Sequence, residues 1–349
     1  MDFQTFRFKI IKWYDFQKRD LPWRRTQEPY YIWLSEVILQ QTRVTQGLPY
    51  YLRFIENFPT IFDLANAPEE QVLKIWQGLG YYSRARNLHH SAKKIAFEFN
   101  GTFPKSYSEL IKLKGVGDYT ASAIASICYS EPCAVVDGNV YRVLARVFGI
   151  ETPIDTSEGI SLFKELATNL LDNKNAGIYN QALMDFGALQ CKPQSPDCIS
   201  CTFSEDCIAY LSQKVQELPK KNGKLKIRKR YFNYLVFIDN QGFTSLEKRT
   251  EKDIWQGLYE FPLIESNKEI SKEELIHKLN DLSYSFSIIY IPYEKPIIHK
   301  LSHQHIITRF WIIETEKIHS KNIDIKQITS FPVSALTANF IKEFWNLKN

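Results

Sequence analysis

Apolar residues recur every three to four positions along residues 1–211, and the pattern changes after residue 231. In the opening stretch Phe3, Phe6, Ile10, Trp13 and Tyr14 fall on one helical face, and Leu34, Val37 and Ile38 repeat the spacing. Further helices are predicted over 68–77, 84–99, 107–113, 119–130, 139–147, 158–171 and 177–189, separated by turns such as Asn100-Gly101 and Phe103-Pro104. Ser106 followed by Glu109 has the spacing of a capping box, and Leu110 and Leu113 follow it. Beyond residue 231, Tyr231–Ile238, the turn Asp239-Asn-Gln-Gly242 and Phe243–Leu246 predict strand, turn, strand. Residues 284–291 and 306–313 are also β-rich, and helices fit 271–280 and 335–346.

The chain therefore divides into an all-α segment, 1–211, a basic linker, 212–230, and an α+β segment, 231–349, of about 120 residues, enough for a core of its own. The linker holds Lys220, Lys221, Lys224, Lys226, Arg228, Lys229 and Arg230 around Asn222-Gly223. Its main expected role is a solvated connection, with phosphate contact as a second one. With 44% hydrophobic and 24% charged residues the composition excludes a disordered chain, and 14% aromatics leave rings for stacking surfaces. The longest uncharged stretch, 327–341, is too short and too polar to span a bilayer. The opening MDFQTFRFKIIKWYDF carries charge within its apolar stripe and is not expected to act as a signal peptide. A net charge of +5 permits a polyanionic partner without demanding one.

Candidate chemistry begins with cysteine. Cys191, Cys198, Cys201 and Cys207 form a C-x6-C-x2-C-x5-C pattern, which suits zinc or an iron–sulfur cluster in a reducing compartment; both stay open on spacing alone. In Leu113-Lys-Gly-Val-Gly-Asp-Tyr-Thr-Ala121, a Gly-x-Gly turn joins a short helix to a small-residue helix. Gly115 and Gly117 would let backbone N–H groups approach a DNA phosphate at a helix N-terminus, although an ordinary helical hairpin reads the same way. Asp137, before Gly138-Asn139, is ordinarily an N-cap, with a catalytic carboxylate as the alternative. Glu36 is ordinarily an exposed helix glutamate; against the apolar Val37-Ile38-Leu39 it could instead become an acid of raised pKa. Gln77-Gly-Leu-Gly-Tyr-Tyr-Ser-Arg-Ala-Arg-Asn87 joins apolar and aromatic side chains to arginines, as unstacking a duplex requires, with a helix N-terminus and tyrosines in the core as the alternative.

These motifs occur in one order with Leu21-Pro-Trp-Arg24, Ser35-Glu-Val-Ile-Leu-Gln-Gln-Thr-Arg43 and Met184-Asp-Phe-Gly-Ala188. Together they resemble the helix–hairpin–helix DNA glycosylase superfamily that carries a [4Fe–4S] cluster, and within it the adenine DNA glycosylase (MutY) family. The resemblance implies a helical glycosylase domain followed by a Nudix-like domain. It implies a partner in double-stranded DNA with adenine opposite 8-oxoguanine or guanine, action as a monomer, and a place at the nucleoid in a bacterial cytoplasm. It makes Glu36 the general acid and Asp137 the carboxylate that stabilises the sugar, with Tyr119 and Asn139 in support. Trp23, Arg24 and Gln181 would hold the flipped adenine. Gln41, Thr42, Leu79 and Tyr81 would fill the stack around 8-oxoguanine, and Gly115 and Gly117 would bind phosphate. Cys191, Cys198, Cys201 and Cys207 would hold the cluster. Gly257-Leu-Tyr-Glu-Phe-Pro262 fits the Nudix-like domain, where Ser302 and His303 would read the damaged base and Leu301 stands in for the usual Phe. Asp118 would either cap helix 119–130 or set a negative charge beside the phosphate.

The nearest rival is an endonuclease III-like lyase, but Tyr119 stands where that chemistry needs an amine. A non-catalytic iron–sulfur DNA-binding protein would not require Glu36 and Asp137 together. Nucleotide pyrophosphate hydrolysis would need metal carboxylates that Lys272-Glu-Glu-Leu-Ile-His277 does not supply.

Overall fold

Helices build the first of two bodies, which comprises Met1–Asn66 and Asn87–Lys224. The computed structural model describes residues 1–223, 227–282, 284–318 and 322–346. Phe6, Ile10 and Tyr14 of helix Phe3–Gln17 meet Val140, Val143 and Leu144 of Gly138–Phe148 and Tyr179, Leu183 and Phe186 of Ala176–Leu189 in one buried cluster. Phe203, within the cysteine segment, stacks on Phe6 at 5.1 Å and meets Phe186 edge-on at 5.3 Å. Burying one phenylalanine is worth about 1.5–3 kcal/mol, so a segment with little regular structure is anchored by an aromatic plug.

The expected helices form at Glu69–Trp76, Tyr107–Leu110, Asp118–Tyr129, Gly138–Phe148, Ser157–Leu170 and Ala176–Leu189. Three details differ. Helix Ser83–Lys93 ends in a π turn, Lys94–Glu98, rather than running on to 99. Helices Val44–Asn57 and Ile61–Asn66 were not predicted; the first contains Pro49, which removes a donor from the helical ladder and disguises the pattern. The capping box at Ser106 does not form: its hydroxyl donates to Glu109 at 3.0 Å, and Glu131, distant in sequence, accepts from the Tyr107 N–H at 2.7 Å instead. A true capping box sits at Ser271 and Glu274.

The second body comprises Ala67–Arg86 and Leu225–Asn349. Residues 67–86, expected to belong with the helical segment, pack here: Glu70 accepts from the Tyr259 hydroxyl at 2.7 Å, and Arg86 donates to the Gln256 carbonyl at 2.5 Å. Strands Arg228–Asp239 and Gln304–Thr315 run parallel in full register from Arg228 opposite Gln304 to Asp239 opposite Thr315. Leu263–Ser266 flanks the first of them, and Ile288–Tyr290 and Ile297–Lys300 flank the second, all antiparallel. The central strands are buried on both faces, as parallel strands usually are. Leu235, Phe237 and Ile313 pack with Leu275 and Leu279 of helix Lys272–Asp281. Tyr234 and Phe310 stack with Phe340 of helix Ala335–Phe344, the last pair at 3.8 Å. The predicted order of strand, turn, strand forms, and Phe243–Ser245 takes Asn322–Asp324 as its ladder partner.

Helices Gly138–Phe148 and Ala176–Leu189 approach so closely at Gly187 that a Cβ there would lie 2.6 Å from Asn139 Cβ and 2.9 Å from the Asn139 carbonyl oxygen. The Gly187 carbonyl also accepts from Arg142 at 2.6 Å. Gly187→Ala must therefore separate two packed helices, and should destabilise the protein by about 1–3 kcal/mol in urea unfolding. An unchanged midpoint would show that the contact is not tight.

Candidate active site

A cleft of about 1300 Å³ opens in the helical body. Ten expected residues line it: Trp23, Arg24, Glu36, Gln41, Thr42, Gly117, Tyr119, Asp137, Asn139 and Gln181. They come from parts of the chain far apart in sequence, and the fold alone brings them together.

Glu36 lies on Pro29–Leu39, a helix on which Tyr30, Ile32, Trp33, Leu34, Ser35, Val37 and Ile38 are also buried. Only 7% of Glu36 is exposed, so the exposed-glutamate reading fails. Among the described residues its side-chain hydrogen-bond partner is a neutral hydroxyl: Tyr119 donates to Oε2 at 2.6 Å. Burial pushes the Glu36 carboxyl up to about 7, and the negative charge of Asp137 adds to the rise, while the Tyr119 bond and the Arg24 charge oppose it. Burial also raises Tyr119 well above its ordinary value, so its hydroxyl keeps its proton at neutral pH.

Asp137 is in a different environment. It is the N-cap of Gly138–Phe148 and accepts from the Asn139 N–H at 2.9 Å, the Val140 N–H at 2.8 Å and the Asn139 side-chain amide at 2.7 Å. The capping and site readings therefore coincide on one carboxylate. Burial raises its pKa, but the three donors and the Arg142 charge restrain the rise. Asn139 is oriented in turn: its Oδ1 accepts from Arg142 at 2.8 Å, and Arg142 also donates to the Cys191 carbonyl at 2.7 Å. A continuous set of hydrogen bonds thus runs from Asp137 to the start of the cysteine segment.

Arg24 lines the cleft but its guanidinium is heavily engaged. It pairs with both oxygens of the fully buried Asp185 and donates to Tyr14 Oη at 3.1 Å. Arg19 also bonds Asp185, and Tyr14 donates to Gln181 Oε1 at 3.2 Å. Trp23 is buried, edge-on to Tyr51 at 4.9 Å. Exposed Gln41 holds a left-handed backbone, φ 53°, at the turn that ends the Glu36 helix.

The two hairpin glycines differ. Gly115 has φ +81° and a Cβ there would lie 2.7 Å from Asn87 Cβ, so the fold demands glycine. Gly117 is extended, with nothing within 4 Å of an added Cβ. The fold does not require glycine at 117, and the room beside it faces the cleft. Gly117 rather than Asp118 is the N-cap, and the Asp118 side chain turns instead to Lys164 and Tyr107.

None of the six cysteines is in a disulfide. Cys191, Cys198, Cys201 and Cys207 line one small cavity with Arg146 and Phe203. Arg146, 2% exposed, donates to the carbonyls of Lys192, Pro193 and Leu218 and lies 3.5 Å from Cys191 Sγ. Among the described residues, no three His, Cys, Asp or Glu side chains converge on a point that could hold one metal ion.

Residues 34–167 match the model of the HhH-GPD superfamily of base excision DNA repair proteins, and residues 233–343 match the NUDIX domain model. An adenine DNA glycosylase of Buchnera aphidicola subsp. Baizongia pistaciae is 38% identical over 87% of this chain and 85% of its own length. The chain belongs to the adenine DNA glycosylase family. The human adenine DNA glycosylase is 44% identical over 59% of this chain and 39% of its own. A solved thermostable thymine-DNA glycosylase superposes at TM-score 0.56, with 28% identity, over 60% of this chain and 97% of that one. A DNA-bound endonuclease III shares the fold at TM-score 0.53 and 24% identity, over 61% of this chain and 99% of that one.

The remaining family positions lie in the second body. Tyr81 has φ 48°, is 47% exposed and donates to Ser302 Oγ at 3.1 Å; Ser302 lies 3.3 Å from His303 Nδ1. Ser302 thus joins Tyr81, an expected stacking residue, to His303, an expected base-reading one. Leu79 is buried at 6% exposure and is not presented as a wedge, which leaves Tyr81 as the exposed ring of that turn. Sequence reasoning missed Tyr14, Asp185, Arg142 and Arg146. Asp185 lay within the Met184–Ala188 motif, but nothing in spacing could pair it with two arginines some 160 positions away.

The Glu36 carboxyl should titrate near 7 in carboxyl-resolved NMR. Tyr119→Phe should move that titration higher, because the lost hydroxyl donates to the charged form. The sign for stability follows: a pKa raised in the folded state adds stability below about 4.5, which is lost as pH rises through 7. A Glu36 titration below 5 would contradict the assigned environment.

Proposed function

We propose that this protein is a DNA glycosylase that removes adenine paired with 8-oxoguanine or guanine in duplex DNA. The observation that carries this reading is the pairing of unlike carboxyls on one cleft. Glu36 is buried with one neutral partner, and Asp137 is held by three donors. Such a pair separates an acid from an ionised carboxylate at one pH.

Adenine leaves poorly as an anion. Glu36 gives its proton to a ring nitrogen as the C–N bond breaks, so that the bond's electron pair departs with a neutral base. Positive charge then grows on the sugar, and the Asp137 carboxylate offsets it and bonds to the anomeric carbon until water replaces it. Asn139 fixes the Asp137 carboxylate, and Tyr119 fixes Glu36. Tyr119 has no amine, so base removal is not coupled to strand cleavage. Trp23, Arg24 and Gln181 bound the pocket for the extruded base, with Gln41 and Thr42 at its rim.

Cys191, Cys198, Cys201 and Cys207 hold a [4Fe–4S] cluster in this reading. Four free thiols line one cavity, and four cysteine thiolates are the usual ligand set of such a cluster. Bound there, the cluster would tie the 191–207 segment into a loop whose Lys192 and Gln194 line the cleft. In the second body, Tyr81, Ser302 and His303 read the base opposite adenine. Ser302 can both donate to and accept from the groups that distinguish 8-oxoguanine from guanine. The protein acts as a monomer at the bacterial nucleoid. Among the described residues no helix is long and apolar enough to cross a membrane.

Single-turnover assays on duplexes with A opposite 8-oxoguanine, A opposite G, and thymine glycol test the reading. Adenine should be released from the first two, and strands should break only after alkali. Glu36→Gln should lower the rate by at least about a hundredfold, the scale of general acid catalysis, with duplex binding retained. Release of thymine glycol with direct strand cleavage would favour the lyase instead.

A further inference from the structure

Asp118 poses an electrostatic problem that the family's chemistry does not resolve. It is the first residue of helix Asp118–Tyr129, directly after Gly117, and both line the cleft. A carboxylate in a first turn favours the helix but repels an anion at the same end. Here the carboxylate is answered from another helix. Lys164, on Ser157–Leu170, places Nζ 3.0 and 2.9 Å from the two Asp118 oxygens. The Tyr107 hydroxyl donates to Asp118 at 2.9 Å from the opposite arm of the hairpin.

The remaining Lys164 contacts are the Ala134 carbonyl at 2.8 Å and Ser122 Oγ at 3.3 Å. Three ammonium protons facing four acceptors leave none for a DNA phosphate. Lys164 can therefore help an anion bind through its charge on Asp118 rather than by touching it. As an isolated, half-exposed ion pair it would add little to stability. Beside a phosphate, its loss leaves the Asp118 charge, still bonded by the Tyr107 hydroxyl, without a counter-charge and facing a like one.

We propose that Lys164 is a positioning residue for DNA: it neutralises Asp118 so that the Gly115–Gly117 turn can accept a backbone phosphate. The inference rests on the proposed reading of that turn as a phosphate contact.

The test measures full-chain affinity for a duplex carrying a tetrahydrofuran abasic site opposite guanine, at low and moderate salt. Lys164→Gln keeps a donor for Ala134 but no charge, and should weaken binding about threefold to tenfold, most at low salt. Lys164→Arg should retain affinity. Asp118→Asn should bind as tightly as the parent or better, and adding it to Lys164→Gln should restore that affinity. A double variant as weak as Lys164→Gln would overturn the proposal, because the lysine would then act by contact or by holding the Ala134 segment. Unchanged affinity in Lys164→Gln would also overturn it. Gly117→Val separates the two readings. If it binds normally, the turn is not a phosphate site and both readings fall. If it weakens binding while Lys164→Gln does not, only the Lys164 proposal falls.

Discussion

A carboxyl group buried with no cation of its own is the constraint on which the rest of the site depends. Leaving Glu36 ionised in an apolar helix face would be expensive, so the group keeps its proton to about pH 7. The arrangement survives only if neighbouring cations are occupied elsewhere. Arg24 lies near enough to lower the Glu36 pKa, yet its guanidinium is paired with Asp185, which Arg19 also bonds. Asp185 thus does for Arg24 what a surface ion pair could not. Fully buried, it holds the positive charge in a fixed direction and spares Glu36 a salt bridge that would hold its carboxyl ionised.

The second carboxylate needs the opposite treatment, and the backbone supplies it. A helix N-terminus leaves N–H groups without partners, and Asp137 takes two of them. Asn139 adds a third donor, and its own orientation is set by Arg142, which spans to the Gly187 and Cys191 carbonyls. Close contact at Gly187 permits this span. The cysteine segment, plugged into the core by Phe203, is therefore mechanically joined to the carboxylate although none of its cysteines is among the residues lining the cleft.

Much of this was legible in the chain. Helical periodicity located most helices within a residue or two, and the cysteine spacing marked the segment that closes on one cavity. The long strands at 231–238 and 306–313 announced themselves through β-branched and aromatic runs. What failed was whatever depends on distant partners. Strand Phe243–Ser245 formed where the turn at 239–242 placed it, but its ladder partner lies some 80 residues on. The Ser106 box lost to Glu131, and Pro49 hid a helix that tertiary packing supports. At the site, Glu36 and Asp137 each had an ordinary local explanation. Burial reversed the reading for Glu36, whereas for Asp137 the ordinary one, N-capping, proved part of how the carboxylate is held. Neither burial nor the Arg24–Asp185 pairing can be read from spacing.

In the proposed reaction one buried, protonated carboxyl, Glu36, governs the chemistry. The pH dependence of single-turnover adenine release under saturating enzyme tests it most directly. The rate should hold below neutrality and fall about tenfold per pH unit above a pKa near 7, as Glu36 loses its proton. A rate that stays level to pH 9, or rises through neutrality, would contradict Glu36 as the acid.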